Sequence, residues 1–257
     1  MVIALKCVDG IVVASDTGMS LRSDADPSSY VSVYLKKIYP ADKYILALAG
    51  TVWINQKIKK LADDVFGDAP EISESMFEQF LSGIADIIKK DVELRSSSGI
   101  QSIDAVKEDI SIEIILAYVD SNGKNAIWVA DHYLRGRHAE EKFVVLAEND
   151  LAYAALKEYE DVDLTMKEGK LVVLKAIKDT MRLSPTFLAE PIDIYTISNQ
   201  SRKITEVGDE ELKRLTTAYE RLRNGNVRLL QDTVAEAYLS GALRKEETKK
   251  SKNKIKE

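Results

Sequence analysis

The sequence is poor in the residues that support disulfides, membrane spans and secretion. It contains a single cysteine, Cys7, which excludes an internal disulfide framework and favours a reducing compartment such as the cytoplasm. No apolar run approaches the roughly 18 residues of a transmembrane helix. Apolar residues begin at Val2 with no basic segment before them, which is unlike a signal peptide. A cytoplasmic protein without a membrane partner is therefore predicted.

Groups that hold metals and phosphates are also scarce. The two histidines, His132 and His138, fall in a predicted loop, with no cysteine or carboxylate cluster at ligand spacing, so no metal site is predicted. The glycine-rich patterns of phosphate loops are missing, and no cofactor is predicted. Nothing in the sequence indicates a Ser–His–Asp arrangement. The formal net charge of −6 argues against a nucleic-acid partner.

What the chain does have is enough apolar content, 45% of residues, to bury a sizeable core. Charged residues make up 30%, rich in Lys and Glu, which is typical of thermophilic and archaeal proteins. Three short apolar runs stand in the first fifty residues, and each predicts a strand: Val2 to Val8, Ile11 to Ser15, and Tyr44 to Ala49. The dipeptide Asp9-Gly10 predicts a hairpin turn between the first two.

The next segments predict a loop and two helices. Residues 18–35 contain several Ser and Asp residues and Pro27, and predict a long loop. This loop is either a surface insertion or a segment that covers a cleft or touches a neighbouring subunit. After Gly50, apolar residues recur at spacings of three and four, which predicts a helix through Val65. A second helix is predicted to open at Ser75, with Glu78 completing a capping box.

Further strands and helices alternate along the rest of the chain. The predicted strands are Ile110 to Val119, Asn125 to Ala130, Lys142 to Leu146, Ile192 to Ile197 and Lys203 to Val207. The predicted helices are Asn149 to Tyr159, Met166 to Arg182, and a helical region from Asp209. This order predicts an α+β fold, a four-layer αββα sandwich of two antiparallel sheets between helical layers. We expect one domain over residues 1–208, helices of residues 209–243 packed on it, and a basic disordered tail over 244–257.

Three stretches carry a resemblance to a known family. They are residues 2–16 (Val-Ile-Ala-Leu-Lys-Cys-Val-Asp-Gly-Ile-Val-Val-Ala-Ser-Asp), residues 36–39 (Lys-Lys-Ile-Tyr) and residues 48–52 (Leu-Ala-Gly-Thr-Val). Together they resemble the start of a β-type subunit of the 20S proteasome, an N-terminal-nucleophile (Ntn) hydrolase. The resemblance implies a proteasome-like fold that assembles into rings through its helical layers. It also implies an N-terminal threonine whose hydroxyl attacks a carbonyl while its own amine serves as base.

The resemblance also assigns candidate site residues. Asp16 falls on the family's acidic helper, and Lys37 on the lysine beside the nucleophile. Gly50 falls on the glycine whose N–H forms the oxyanion hole. Leu48 and Val52 fall on walls of the substrate pocket. The alternative for Asp16 and Lys37 is a relic ion pair that ties strand ends together.

The sequence departs from the family where the chemistry would be. The family's threonine would lie one residue before Met1, and removal of the initiator Met would expose Val2, which has no hydroxyl or thiol. The helper aspartate and serine expected near Met181 to Glu190 are replaced by Arg182-Leu183-Ser184-Pro185-Thr186-Phe187, and another expected serine is missing near residues 148–150. Cys7 could act as a nucleophile only if most of the first strand were cut away, so a buried structural cysteine is predicted.

Two hypotheses follow. The first is a catalytically inactive, proteasome-subunit-like pseudoenzyme that acts in a homo-oligomer, or in a hetero-oligomer with proteasome-type subunits, and can bind peptides. The second is an active threonine-type endopeptidase or amide hydrolase whose nucleophile is unusual or exposed by processing. In either case the family's assembly mode predicts subunit contacts through the helices Met166 to Arg182 and Asp209 to Leu222.

Overall fold

The computed structural model describes residues 1–22, 30–50, 54–97, 112–147, 150–183, 188 and 190–225. The chain divides into two compact units, Met1–Glu211 and Leu212–Glu257. Residues 209–225 are helical, as the apolar spacing after Asp209 predicts. No helix in the described part is long and apolar enough to cross a membrane.

The first sheet is antiparallel and contains the predicted N-terminal hairpin. Its five strands are β1 (Val2–Cys7), β2 (Gly10–Asp16), β10 (Phe143–Leu146), β11 (Ile192–Ser198) and β12 (Ile204–Glu206). They lie in the order β10-β1-β2-β11-β12, so β1 and β2 are central. Both central strands are almost wholly buried, which explains their continuous apolar runs.

The second sheet is also antiparallel and has five strands. They are β5 (Ile38–Pro40), β6 (Tyr44–Gly50), β7 (Ile112–Val119), β8 (Asn125–Ala130) and β9 (Gly136–His138), paired in chain order. A separate two-stranded ribbon is formed by β3 (Gly18–Arg22) and β4 (Tyr30–Tyr34).

Helices cover the outer face of each sheet. Helices α1 (Asn55–Phe66) and α2 (Glu74–Ser97) pack on the second sheet, and share with β6, β7 and β8 a core of aromatic and aliphatic side chains. Helices α3 (Asp150–Lys157) and α4 (Met166–Leu183) follow β10, and α4 packs on β1 and β2. A second core, rich in Val, Ile and Ala, lies between the sheets. The predicted αββα sandwich is confirmed.

Several boundaries differ from the sequence prediction. The expected loop over residues 18–35 contains the β3–β4 ribbon, because the alternation of Tyr30-Val-Ser-Val-Tyr34 prevails over the polar composition around it. Helix α2 begins before the expected capping box, since Ser73 Oγ accepts the Met76 N–H at 3.4 Å. His138 lies on the short strand β9 and not in a loop.

The Asp9-Gly10 hairpin anchors one end of the sandwich. A Cβ at position 10 would lie 2.1 Å from the Ile197 carbonyl oxygen, so only glycine fits there. The Asp9 carboxylate accepts the Met166 N–H at 2.6 Å, which ties the turn to the start of α4. Asn125 of the second sheet donates its side-chain N–H groups to the carbonyls of Cys7 at 2.7 Å and Gly10 at 3.0 Å.

Candidate functional site

Asp16 lies at the opposite end of β2 from this hairpin, as the last residue of the strand. Its side chain is 0% exposed. One carboxylate oxygen, Oδ2, accepts the Gly18 N–H at 2.9 Å, a local turn that fixes the orientation of the carboxyl group. A buried carboxylate requires compensation by hydrogen bonds or a positive charge, and the second oxygen receives both.

Lys37 supplies the positive charge. It lies immediately before β5, and its ammonium group donates to Asp16 Oδ1 at 2.8 Å while the side chain is only 8% exposed. Its backbone carbonyl accepts the Leu48 N–H at 2.9 Å, which joins it to β6. The pair therefore connects the first sheet, through Asp16, to the second sheet, through Lys37. The structure thus brings together the two residues that the resemblance paired, and their catalytic role stays a prediction.

The Met1 amine is the third group at this point. It donates to the same oxygen, Asp16 Oδ1, at 2.6 Å, and is buried. Burial, aided by repulsion from the Lys37 ammonium, lowers the pKa of the Met1 amine from 8.0 to about 5. At pH 7 the Met1 amine beside the Asp16–Lys37 pair is therefore mostly neutral. A neutral amine can accept a proton, which is the capacity that an Ntn hydrolase requires of its base.

This assignment predicts the titration of the amine. In a ¹⁵N NMR titration, the Met1 amine should titrate near pH 5, because its protonated form is poorly solvated and faces Lys37. The folded state then binds fewer protons than the unfolded state between about pH 5 and 8. The group therefore makes the free energy of unfolding rise with pH across that window. A midpoint near 8 would contradict the assignment, and Lys37→Met should raise the midpoint.

The other predicted site residues are placed as follows. Gly50 ends β6 with φ 97°, a left-handed conformation that glycine adopts without strain. Leu48 is buried in the core between the second sheet and helices α1 and α2. Val52 lies outside the described residues, as do residues 148 and 149 and residues 184–187 of the helper segments. The roles of Gly50 as an oxyanion donor and of Leu48 as a pocket wall stay predictions.

The residues weighed for other chemistry lie apart from Asp16. Cys7 is buried at the hairpin end, and burial raises the pKa of its thiol to about 12, so the reactive thiolate is disfavoured. His138 contacts the Trp128 ring and His132 contacts Tyr133. Within the described ranges, no group of three or more His, Cys, Asp or Glu side chains is placed to hold a metal ion.

Sequence reasoning missed two features around the pair. The family register places the nucleophile before Met1, whereas in the structure the Met1 amine itself reaches Asp16. It also overlooked Asp193 on β11, which is paired in register with Ser15. The signal for Asp193 was available, since strand alternation puts it on the same face as Tyr195 and Ile197, which lie in the core between the sheets.

Comparison with known proteins identifies the fold. No family model matches the chain, and no curated protein matches it. Among solved structures, Anbu (ancestral beta-subunit) from Yersinia bercovieri has a TM-score of 0.65 at 13% identity, covering 89% of this chain and 96% of that one. The helical assembly of the Anbu complex from Pseudomonas aeruginosa has a TM-score of 0.67 at 15% identity, covering 90% of this chain and 95% of that one. Anbu from Hyphomicrobium sp. strain MC1 has a TM-score of 0.60 at 17% identity, covering 88% of this chain and 96% of that one.

These matches correct the predicted family. The neighbours are Anbu proteins, a proteasome-related, Ntn-hydrolase-like family distinct from the 20S proteasome subunits, so the predicted membership in the 20S proteasome family is wrong. The stretches that carried the resemblance lie in the β1–β2 hairpin, at Lys37 and β5, and at the end of β6, all of them parts of the αββα scaffold. The chain therefore has the αββα fold of proteasome-related, Ntn-hydrolase-like proteins, as Anbu has.

Proposed function

We propose that this chain is a proteasome-related subunit of an oligomeric cytoplasmic assembly and does not act as a threonine peptidase. The observation that carries the assembly is the αββα fold, which the chain shares with the Anbu complex from Pseudomonas aeruginosa, solved as a helical assembly. The absence of peptidase activity is supported at a segment where the resemblance places catalytic helpers. In the helper segment, Arg182 and Leu183 form the exposed end of α4 and supply no carboxylate or hydroxyl.

Assembly is supported by the solved structure titled as a helical assembly of the Anbu complex. It is also supported by apolar side chains that the helices leave exposed. Leu151 and Tyr153 on α3 and Leu183 at the end of α4 are exposed, and these two helices pack against each other. Exposed apolar side chains grouped on one face of a protein are typical of protein–protein contact surfaces. We place the subunit contacts on the helical faces, α4 in particular.

The test combines mass and reactivity. Native mass spectrometry and light scattering at micromolar concentration should give a mass several times that of one chain. Intact-mass analysis and N-terminal sequencing of the native protein should show a first residue without hydroxyl or thiol, and fluorogenic peptides should remain uncleaved. A monomeric mass would refute the assembly. A covalent adduct of an electrophilic N-terminal-threonine probe on the first residue would refute the inactivity.

The amine itself favours a second candidate, an amide hydrolase of the Ntn type. With its pKa lowered to about 5, the amine at Asp16 is available as a base at neutral pH. Under this alternative, a processed chain presents a Thr, Ser or Cys at the pair. The same probe would then add to that residue, and Lys37→Met would slow the addition.

A further inference from the structure

A recess opens beside the Asp16–Lys37 pair. Its volume is about 440 Å³, and its lining includes Thr17, Lys36, Pro191, Asp193, Tyr195 and Glu206. Thr17 follows Asp16 and Lys36 precedes Lys37 in the chain, so the recess adjoins the pair. The Thr17 hydroxyl donates to the Pro191 carbonyl at 2.9 Å, which closes one side. The volume suits a small ligand or one peptide side chain.

Asp193 is the least satisfied charged group of the recess. It is half-buried, and in the described part of the chain its carboxylate accepts no hydrogen bond and forms no ion pair within 4 Å. Its cross-strand neighbour Ser15 does not compensate it, since the buried Ser15 hydroxyl has no hydrogen-bond partner among the same residues. Burial raises the pKa of Asp193. A partly desolvated carboxylate of this kind is stabilised by any cation that reaches it.

Tyr195 provides an aromatic wall beside the carboxylate. It lies two residues after Asp193 on the same face of β11, and its register partner on β12 is Glu206. The Lys36 ammonium stands 6.0 Å from the centre of the Tyr195 ring, at the outer limit of a cation–π contact. The ring therefore already faces one positive charge, held only at long range, and the Tyr195 side chain is hydrogen-bonded to Glu206. Lys36 is exposed and, among the described residues, forms no ion pair within 4 Å with Asp193 or Glu206, so a ligand cation can take its place.

We propose that this recess binds a primary ammonium or guanidinium group of the kind carried by lysine and arginine side chains of a peptide. Asp193 is the ion partner, the Tyr195 ring is the wall against which the cation and its methylene stem lie, and Glu206 adds a second negative charge at the rim. With two carboxylates against the single Lys36 ammonium, the recess favours a cationic ligand over an anionic or neutral one. The proposal depends on neither the assembly nor the catalytic state of the chain.

The test uses three probes of matched shape: Nα-acetyl-lysine methylamide, Nα-acetyl-arginine methylamide and the uncharged Nα-acetyl-norleucine methylamide. In NMR titrations of the full chain, the two cationic probes should shift signals of β11 and bind at least about tenfold more tightly than the norleucine probe. The Asp193 carboxyl ¹³C signal should titrate at a lower pH with the lysine probe bound, because the cation stabilises the carboxylate.

Variants separate this site from general surface attraction. Asp193→Asn keeps the side-chain shape and should weaken the cationic probes by about tenfold, whereas Lys36→Gln should strengthen them by removing a competing charge. Glu158→Gln, which changes an exposed carboxylate outside the recess, should leave binding unchanged. Equal binding of the norleucine probe, no binding, or undiminished binding to Asp193→Asn would overturn the proposal. If Asp193→Asn does not fold, the carboxyl titration of the unchanged chain decides alone.

Discussion

Replacing Lys37 by Met is expected to lower the free energy of unfolding by about 3–5 kcal/mol. Asp16 is fully buried, and Lys37 is the cation that compensates it at 2.8 Å. The variant leaves a desolvated carboxylate without its ammonium partner. The Met1 amine, whose pKa is lowered by burial, and the Gly18 N–H only partly replace that charge. Urea denaturation at pH 7, followed by circular dichroism, measures the loss.

Two controls define the origin of this loss. The double variant Asp16→Asn with Lys37→Met removes both charges and keeps an acceptor for Gly18, so it should lose less stability than Lys37→Met alone. Arg137→Met breaks a pair with Glu141 whose side chains are 56% and 46% exposed, and should cost under about 1 kcal/mol. If Lys37→Met and Arg137→Met lowered the free energy of unfolding equally, the buried pair would contribute no more to stability than an exposed pair does.

The second large effect is expected in the core beneath α2. Phe80 is fully buried, and its ring centre lies 5.1 Å from that of Phe66 and 6.2 Å from that of Phe77. Phe80→Ala removes most of a large side chain from a packed aromatic cluster. We expect it to cost about 3–5 kcal/mol, the sum of lost burial and the cavity left behind. Thermal and urea unfolding both report this change.

Leu94 on the same helix is the matched control. Its side chain is 67% exposed, so Leu94→Ala should change the free energy of unfolding by no more than about 0.5 kcal/mol. The contrast isolates packing from helix propensity, since both variants introduce alanine into α2. A loss below about 1 kcal/mol for Phe80→Ala would mean that α2 contributes little to the core.

The fold was predictable because its signals are local. The apolar runs of β1 and β2, the Asp9-Gly10 turn and the helical stripes of α2 and α4 each specify one element, and their order specifies the layers. The β3–β4 ribbon was missed because its polar residues outweighed a short alternation. The start of α2 was misplaced because Ser73 and Ser75 are both residues that can cap a helix, and the structure uses Ser73, whose hydroxyl accepts the Met76 N–H.

The candidate site was predictable only in part. Asp16 and Lys37 come from two different sheets, and no spacing rule brings them together, so the resemblance supplied that juxtaposition. The contact of the Met1 amine with Asp16 depends on how the chain enters β1, just before Val2. Aligning the sequence with a family does not define that geometry. Asp193 and Glu206 meet through the pairing of β11 with β12, a tertiary feature without a motif. The family prediction failed because it rested on three short stretches of the scaffold, and at identities of 13–17% the likeness to solved structures lies in the fold.

The polar anchoring of the Asp9-Gly10 hairpin has a mechanical consequence for the two sheets. Asn125 crosses from one sheet to two carbonyls of the other, and Asp9 fastens the same turn to α4. The buried Asp16–Lys37 pair joins the same two sheets at the opposite end of β2. The two layers are therefore fastened by polar contacts at both ends of the central hairpin, and Lys37→Met should loosen only the end that carries the recess.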